Sequence, residues 1–150
     1  MNKKGFTLIE LLAVIAIIAL ISLIAIPNIV SLSNNIRKDQ MIDDAKKLIS
    51  NAKYLVSKSY DIRTNPPKVF SFEELNANGD IKNDPDGGDY DRGTSKVTYY
   101  RENSTEKYCI YLESERRKIC KMSEGCDLPS CCTLCVEEDE LYSHAKVIDK

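Results

Sequence analysis

Lys3-Lys4-Gly5-Phe6-Thr7-Leu8-Ile9-Glu10 opens the chain, and an almost unbroken apolar run follows it to Val30. Between Phe6 and Ile26 every residue other than Glu10 is apolar or small and uncharged. About 20 such residues, rising about 1.5 Å each in a helix, match the roughly 30 Å hydrocarbon core of a bilayer. Glu10 is the anomaly, because a charge placed centrally in such a segment costs about 2.5–3.5 kcal/mol on insertion scales. A carboxylate retained there points to a function and to a partner that compensates it. A secretory signal has a shorter apolar core ending in a small-x-small cleavage site, and this run is longer and lacks a good site. A generic single-span anchor explains the length, but neither Glu10 nor Gly5-Phe6 directly after two lysines. Both lysines precede the run and none lies within it, so the amino terminus is expected on the cytoplasmic side and the carboxy-terminal region outside.

Lys3, Lys4, Gly5, Phe6, Glu10 and Pro27 together resemble the amino terminus of the type IV pilin family, which includes pseudopilins and competence pilins. In that family a basic leader ends in Gly, the next residue is usually Phe, and Glu is the fifth residue after the cut. The resemblance is specific over the first 35 residues and extends to the remainder only in layout. It implies a leader of residues 1–5, cleavage between Gly5 and Phe6 by a prepilin peptidase, and methylation of the new amine. It also implies assembly with other pilin subunits through the membrane assembly machinery. The expected location is a single-pass cell-membrane precursor in contact with lipid, then a filament at the cell surface. Glu10 is the expected assembly residue: the cationic terminus of a neighbouring copy is its natural partner, and in low dielectric either ion left alone is penalised.

The charge distribution fits two parts. Lys3, Lys4 and Glu10 give residues 1–36 a net +1, so residues 37–150 hold −3 of the total −2. Neither part has the concentrated Lys/Arg face of a dedicated nucleic-acid binder, and no specific nucleic-acid partner is expected. Residues 6–36 are read as the membrane and fibre-core half of a helix, and residues 37–150 as one globular head.

Met41, Ala45, Leu48, Ile49, Ala52, Leu55 and Val56 recur at three- and four-residue spacings among charged residues, which predicts an amphipathic helix over 37–59. The whole helix is expected from Phe6 to about Ser59. Pro27 lies inside it, removes one backbone hydrogen bond and crowds the preceding turn, so a kink or local melting is expected near 24–28. A membrane-helix bend and a point that lets a packed fibre stretch both account for Pro27.

Asn65-Pro66-Pro67 ends the helical region, and 60–93 is read as a connecting loop. Within it Ser71 and Glu74 have the spacing of a capping box for a short helix. The loop carries Asp80, Asp84, Asp86, Asp89 and Asp91. Oxygen ligands at that density could hold calcium, as some pseudopilins do in the equivalent region, but a solvated turn is the favoured reading, and Pro85 stands where a closing Glu would be needed. Residues 94–123 are read as an antiparallel meander of strands Lys96–Arg101, Lys107–Glu113 and Arg117–Met122, packed on the helical stripe. Residues 124–150 form a cysteine-rich carboxy-terminal region. The fold class is thus α+β: a long amino-terminal helix, hydrophobic in its first half, against a small meander with a cysteine-rich loop.

The six cysteines are Cys109, Cys120, Cys126, Cys131, Cys132 and Cys135. An even number in an exported domain favours disulfides, whose connectivity spacing alone does not fix. Pilins commonly staple their carboxy-terminal loop in this way. Zinc is the rival reading: Cys132-Thr-Leu-Cys135 is a CxxC knuckle, with Cys120, Cys126, Cys131 or His144 as further ligands. Neither metal is required by the sequence. His144 is the sole histidine, with no placed Ser or Asp partner, and CxxC lacks its redox-active setting, so no catalytic activity is expected. The reading is a structural pilus or related filament subunit serving adhesion, motility, DNA uptake or secretion. The alternative is a membrane-tethered zinc-binding or disulfide-rich module that does not polymerise.

Overall fold

Apolar spacing turns into one long helix, α1 (Leu8–Lys58), that changes character along its length. The computed structural model describes residues 6–64, 66–122, 132–141 and 147–150, with backbone only at 24–28, 122 and 132–134. Two units are distinct, Met1–Ile36 and Arg37–Lys150. In the first, the large apolar side chains face outward: exposure runs from 48 % at Val14 to 87 % at Phe6. The Ser22 hydroxyl donates to the Ile18 carbonyl at 2.8 Å, so this hydroxyl in the apolar run is satisfied within the helix. Among the described residues no helix is long and apolar enough to cross a membrane.

In the second unit the stripe is buried. Met41, Ile42, Ala45, Leu48, Ile49, Ala52 and Val56 are all 4 % exposed or less, and Leu55 packs at the margin. A short helix α2 (Tyr60–Thr64) follows, then strand β1 (Lys68–Ser71), helix α3 (Phe72–Leu75), β2 (Lys96–Glu102), β3 (Thr105–Glu113), β4 (Arg117–Ile119), β5 (Lys121–Met122), β6 (Cys132–Leu134), β7 (Val136–Glu137) and β8 (Val147–Asp149). The main sheet runs β1-β2-β3-β4-β8, with β7 also paired to β3, and every pairing is antiparallel. Register aligns buried rows across it. Phe70 lies opposite Val97, Val97 opposite Ile110 and Ile110 opposite Val136, while Leu112, Ile119 and Val147 form a second row. These rows and the α1 stripe share one core. Each fully buried aliphatic side chain contributes about 1.5–3 kcal/mol, so this seam is the main source of head stability.

The expected meander is present as β2-β3-β4, with differences that have local causes. Glu102 pairs with Thr105 around Asn103 and Ser104, whose φ values of 50° and 68° make the tight two-residue turn that matches strand twist. The expected third strand, Arg117–Met122, is divided. It breaks at Cys120, a buried disulfide-bonded residue, and Lys121–Met122 leaves to pair with β6. The loop expected over 60–93 holds α2, β1 and α3. Strand β1 is short, with Val69 exposed and Phe70 buried, so its alternation is too brief to read without its partner β2. The α3 capping box forms as its spacing predicts: the Glu74 amide donates to Ser71 Oγ at 3.3 Å, and the Ser71 amide to Glu74 Oε2 at 2.8 Å.

Candidate assembly site at the amino terminus

Phe6 and Thr7 are outside the helix, which begins at Leu8. Thr7 is the cap. Its amide and hydroxyl donate to Glu10 Oε2 at 2.8 and 2.9 Å, and the Glu10 amide donates to Thr7 Oγ1 at 3.3 Å. The Leu11 amide closes the first turn on the Thr7 carbonyl at 3.2 Å. Two otherwise orphaned helix donors are thereby satisfied reciprocally, and the carboxylate sits at the positive end of the helix dipole. One oxygen of Glu10, Oε2, carries both Thr7 bonds, while Oε1 has no hydrogen bond among the described residues. An exposed carboxylate held in one place with a free oxygen can accept a cation without first being ordered. Thr7 is the site residue that the apolar pattern does not single out. The signal that finds it is the Thr-x-x-Glu spacing, the same one that marks Ser71 and Glu74.

Gly5 lies outside the described residues. The backbone is helical through position 27, whereas the side chain of Pro27 is not described.

The acidic loop does not gather its carboxylates on one point. Among the described residues no group of three or more His, Cys, Asp or Glu side chains is arranged to hold a metal. Asp86 is turned inward, its side chain 3 % exposed, with Arg37 Nη1 at 2.9 Å. Arg117 Nε and Nη2 lie 2.9 and 3.3 Å from its two oxygens. Asp84 Oδ1 accepts the amides of Asp86 and Gly88 at 3.0 and 2.7 Å, tightening a turn in which Gly87 takes φ +89°. Asp91 accepts the amides of Gly93 and Thr94 at 2.9 and 3.1 Å. Asp80 and Asp89 stay exposed. Tyr90 donates to Asp44 on α1 at 3.0 Å, and its own burial first, then the nearby Asp44 charge, pushes its phenol well above the usual range. Arg37 and the Tyr90 hydroxyl therefore hold the loop against the first head turns of α1, while the loop's own amides fix its turns.

Cys109 and Cys135 form a disulfide with Cα atoms 5.4 Å apart, joining β3 to the start of β7. Closing 26 residues of sequence adds about 3–4 kcal/mol in the chain-entropy model. Cys120 is also disulfide-bonded. The zinc reading fails for these three, because a sulfur in a disulfide is no thiolate ligand. Cys126, Cys131 and His144 lie outside the described residues, as does the side chain of Cys132. Next to the disulfide, Glu137 accepts Tyr100 at 2.7 Å and Lys107 at 3.0 Å, and these two bonds hold its carboxyl below the usual range. Burial, then the Glu137 bond, pushes Tyr100 up to about 12.

Comparison with curated proteins and with solved structures gave no match. Residues 1–26 match the family model described as the prokaryotic N-terminal methylation motif. That stretch contains the capped Glu10 and most of the exposed apolar flank, so the chain carries the leader of a type IV pilin-like precursor.

Proposed function

We propose that this chain is a structural, non-catalytic subunit of a type IV pilus or a related secretion filament. Prepilin peptidase cuts between Gly5 and Phe6, and the Phe6 amine is methylated. The apolar half of α1 first anchors the precursor in lipid and then becomes the fibre core. Glu10 receives the cationic terminus of the adjacent copy at its free Oε1, which sets subunit register, since a copy one step out leaves both charges unpaired in low dielectric. The head, tied by its disulfides, faces outward at the cell surface. No metal is needed for this role.

The observation that carries the reading is the methylation motif lying on a helix flank that exposes its large apolar side chains. A contiguous apolar surface of that kind is not left to water; lipid or other subunits cover it. Mass spectrometry of the natural protein, with electron microscopy of sheared cell surfaces, tests this. A methylated Phe6 terminus and filaments are expected. An intact leader on a protein found only as single molecules would overturn it in favour of a tethered disulfide-rich module.

A further inference from the structure

On the head half of α1, Arg37, Lys38, Lys46, Lys47 and Lys53 each pair with a carboxylate at 3.6 Å or less. Beyond Lys53 the pattern stops. Lys58, Arg63 and Lys68 have no carboxylate partner among the described residues and lie over rings instead, 4.4 Å from the Tyr54 centroid, 5.9 Å from Tyr60 and 5.9 Å from Phe70. Cations in a last helical turn stabilise the helix dipole, which accounts for the charges of Lys58 and Arg63. It does not account for the aromatic surface between them: Tyr54 is 56 % exposed and Tyr60 74 %. Tyrosine and arginine are the residues that concentrate binding energy at protein interfaces.

The opposite imbalance lies at the other end of the same helix. Asp80 and Asp89 are exposed and make no ion pair among the described residues, although Asp80 lies near enough to Lys47, already bonded to Asp44, to add to the field on it. Their loop is moored to the first head turns of α1 through Asp86 to Arg37 and Tyr90 to Asp44. Of the loop's own cations, Arg92 is taken by Glu73 at 3.9 Å, leaving Lys82 against the acids. At the basic end, Glu138 is held by Lys53 and Glu106 by Arg101. From Asp44 to Lys58 is 14 residues, or about 21 Å along the helix. The two patches therefore cannot neutralise each other within one molecule. A second copy can, and such a contact propagates when it joins copies head to tail with a rotation that does not close.

We propose that the Tyr54–Lys68 surface docks the Asp80–Asp89 loop of a neighbouring copy, giving the heads an electrostatic register of their own. This rests on the filament reading above. Complementary charge acts mainly on encounter and register, so the effect belongs to assembly efficiency and its salt dependence. The test uses the full chain in cells with its assembly machinery. Three variants are compared: Lys58→Glu with Arg63→Glu, Asp80→Lys with Asp89→Lys, and all four together. Each pair is expected to lower sheared-filament yield about ten-fold, with amounts of Phe6-terminated protein unchanged, and the combined variant to recover most of it. Reversed pairs that polymerise like the parent, or a combined variant that fails to recover, overturn the proposal. Unchanged filaments that lose retention of a single-stranded oligonucleotide on reversal at 58 and 63 also overturn it, in favour of a nucleic-acid surface. A parent chain that is never cleaved and never polymerises counts against the filament reading instead.

Discussion

Glu10 and Asp86 are both carboxylates in apolar or buried settings, and they are satisfied in opposite ways. Asp86 is charge-compensated within the molecule, with Arg37 and Arg117 at 2.9 Å and almost no exposure. Glu10 is half complete, with one oxygen fixed by Thr7 and the other open. The same contrast holds for the helix that carries them: α1 buries its stripe in the head and exposes its apolar residues ahead of Ile36. A region whose groups find their partners inside the chain is built for stability. One that leaves an ordered charge and an apolar flank open is built for other molecules.

The sharpest break in that contrast is Glu10→Val. It is expected to abolish filaments while leaving leader cleavage and the thermal melt of the full chain in detergent unchanged; normal filament yield would show that Glu10 is no assembly residue. Asp86→Ala should do the reverse. Removing it takes from the Arg117 guanidinium, 8 % exposed, its nearest carboxylate and leaves it Asp149 Oδ1 at 3.4 Å, read as a clear fall in head Tm. An unchanged melt would show that the loop is not moored by this pair.

Thr7→Ala sharpens the comparison on the open side. Loss of the cap costs about 1 kcal/mol, visible as several-fold faster amide exchange at Leu8–Leu11, with Thr7→Ser restoring protection. Exchange unchanged in both variants would deny the cap. The smallest effect is on the closed side and depends on pH. Tyr100 and Lys107 hold Glu137 below the usual carboxyl range. For Glu113 burial opposes ionisation, but Lys150 and Tyr111 outweigh it and the net shift is downward. Each binds fewer protons folded than unfolded, so their contribution is present above an unfolded pKa of about 4.3 and is lost as pH falls through the lower folded values. Both are partly exposed, so the loss is modest. Head Tm should fall slightly below about pH 4, and Glu137→Gln should flatten the fall.

Apolar periodicity by itself determined the long helix and its change from all-round apolar to one stripe, and the Ser71–Glu74 spacing the α3 cap, because these are local patterns with fixed spacings. Residue type at a few positions marked the leader and singled out Glu10 as the anomaly of the apolar run. The meander was legible wherever strands were long enough to alternate. Strands β1, β7 and β8 were not, since two to four residues form strands only when a partner supplies the hydrogen bonds. The acidic loop shows the limit most clearly. Five aspartates in a row of turns read mainly as a solvated turn with calcium as the rival, and neither reading held the ion pairs that the fold makes by bringing Arg37 and Arg117, remote in sequence, to Asp86. The sulfur pairing of Cys109 with Cys135 was likewise decided by the register of β3 against β7. Charge balance and cysteine partnership are long-range distances, and only tertiary structure sets those.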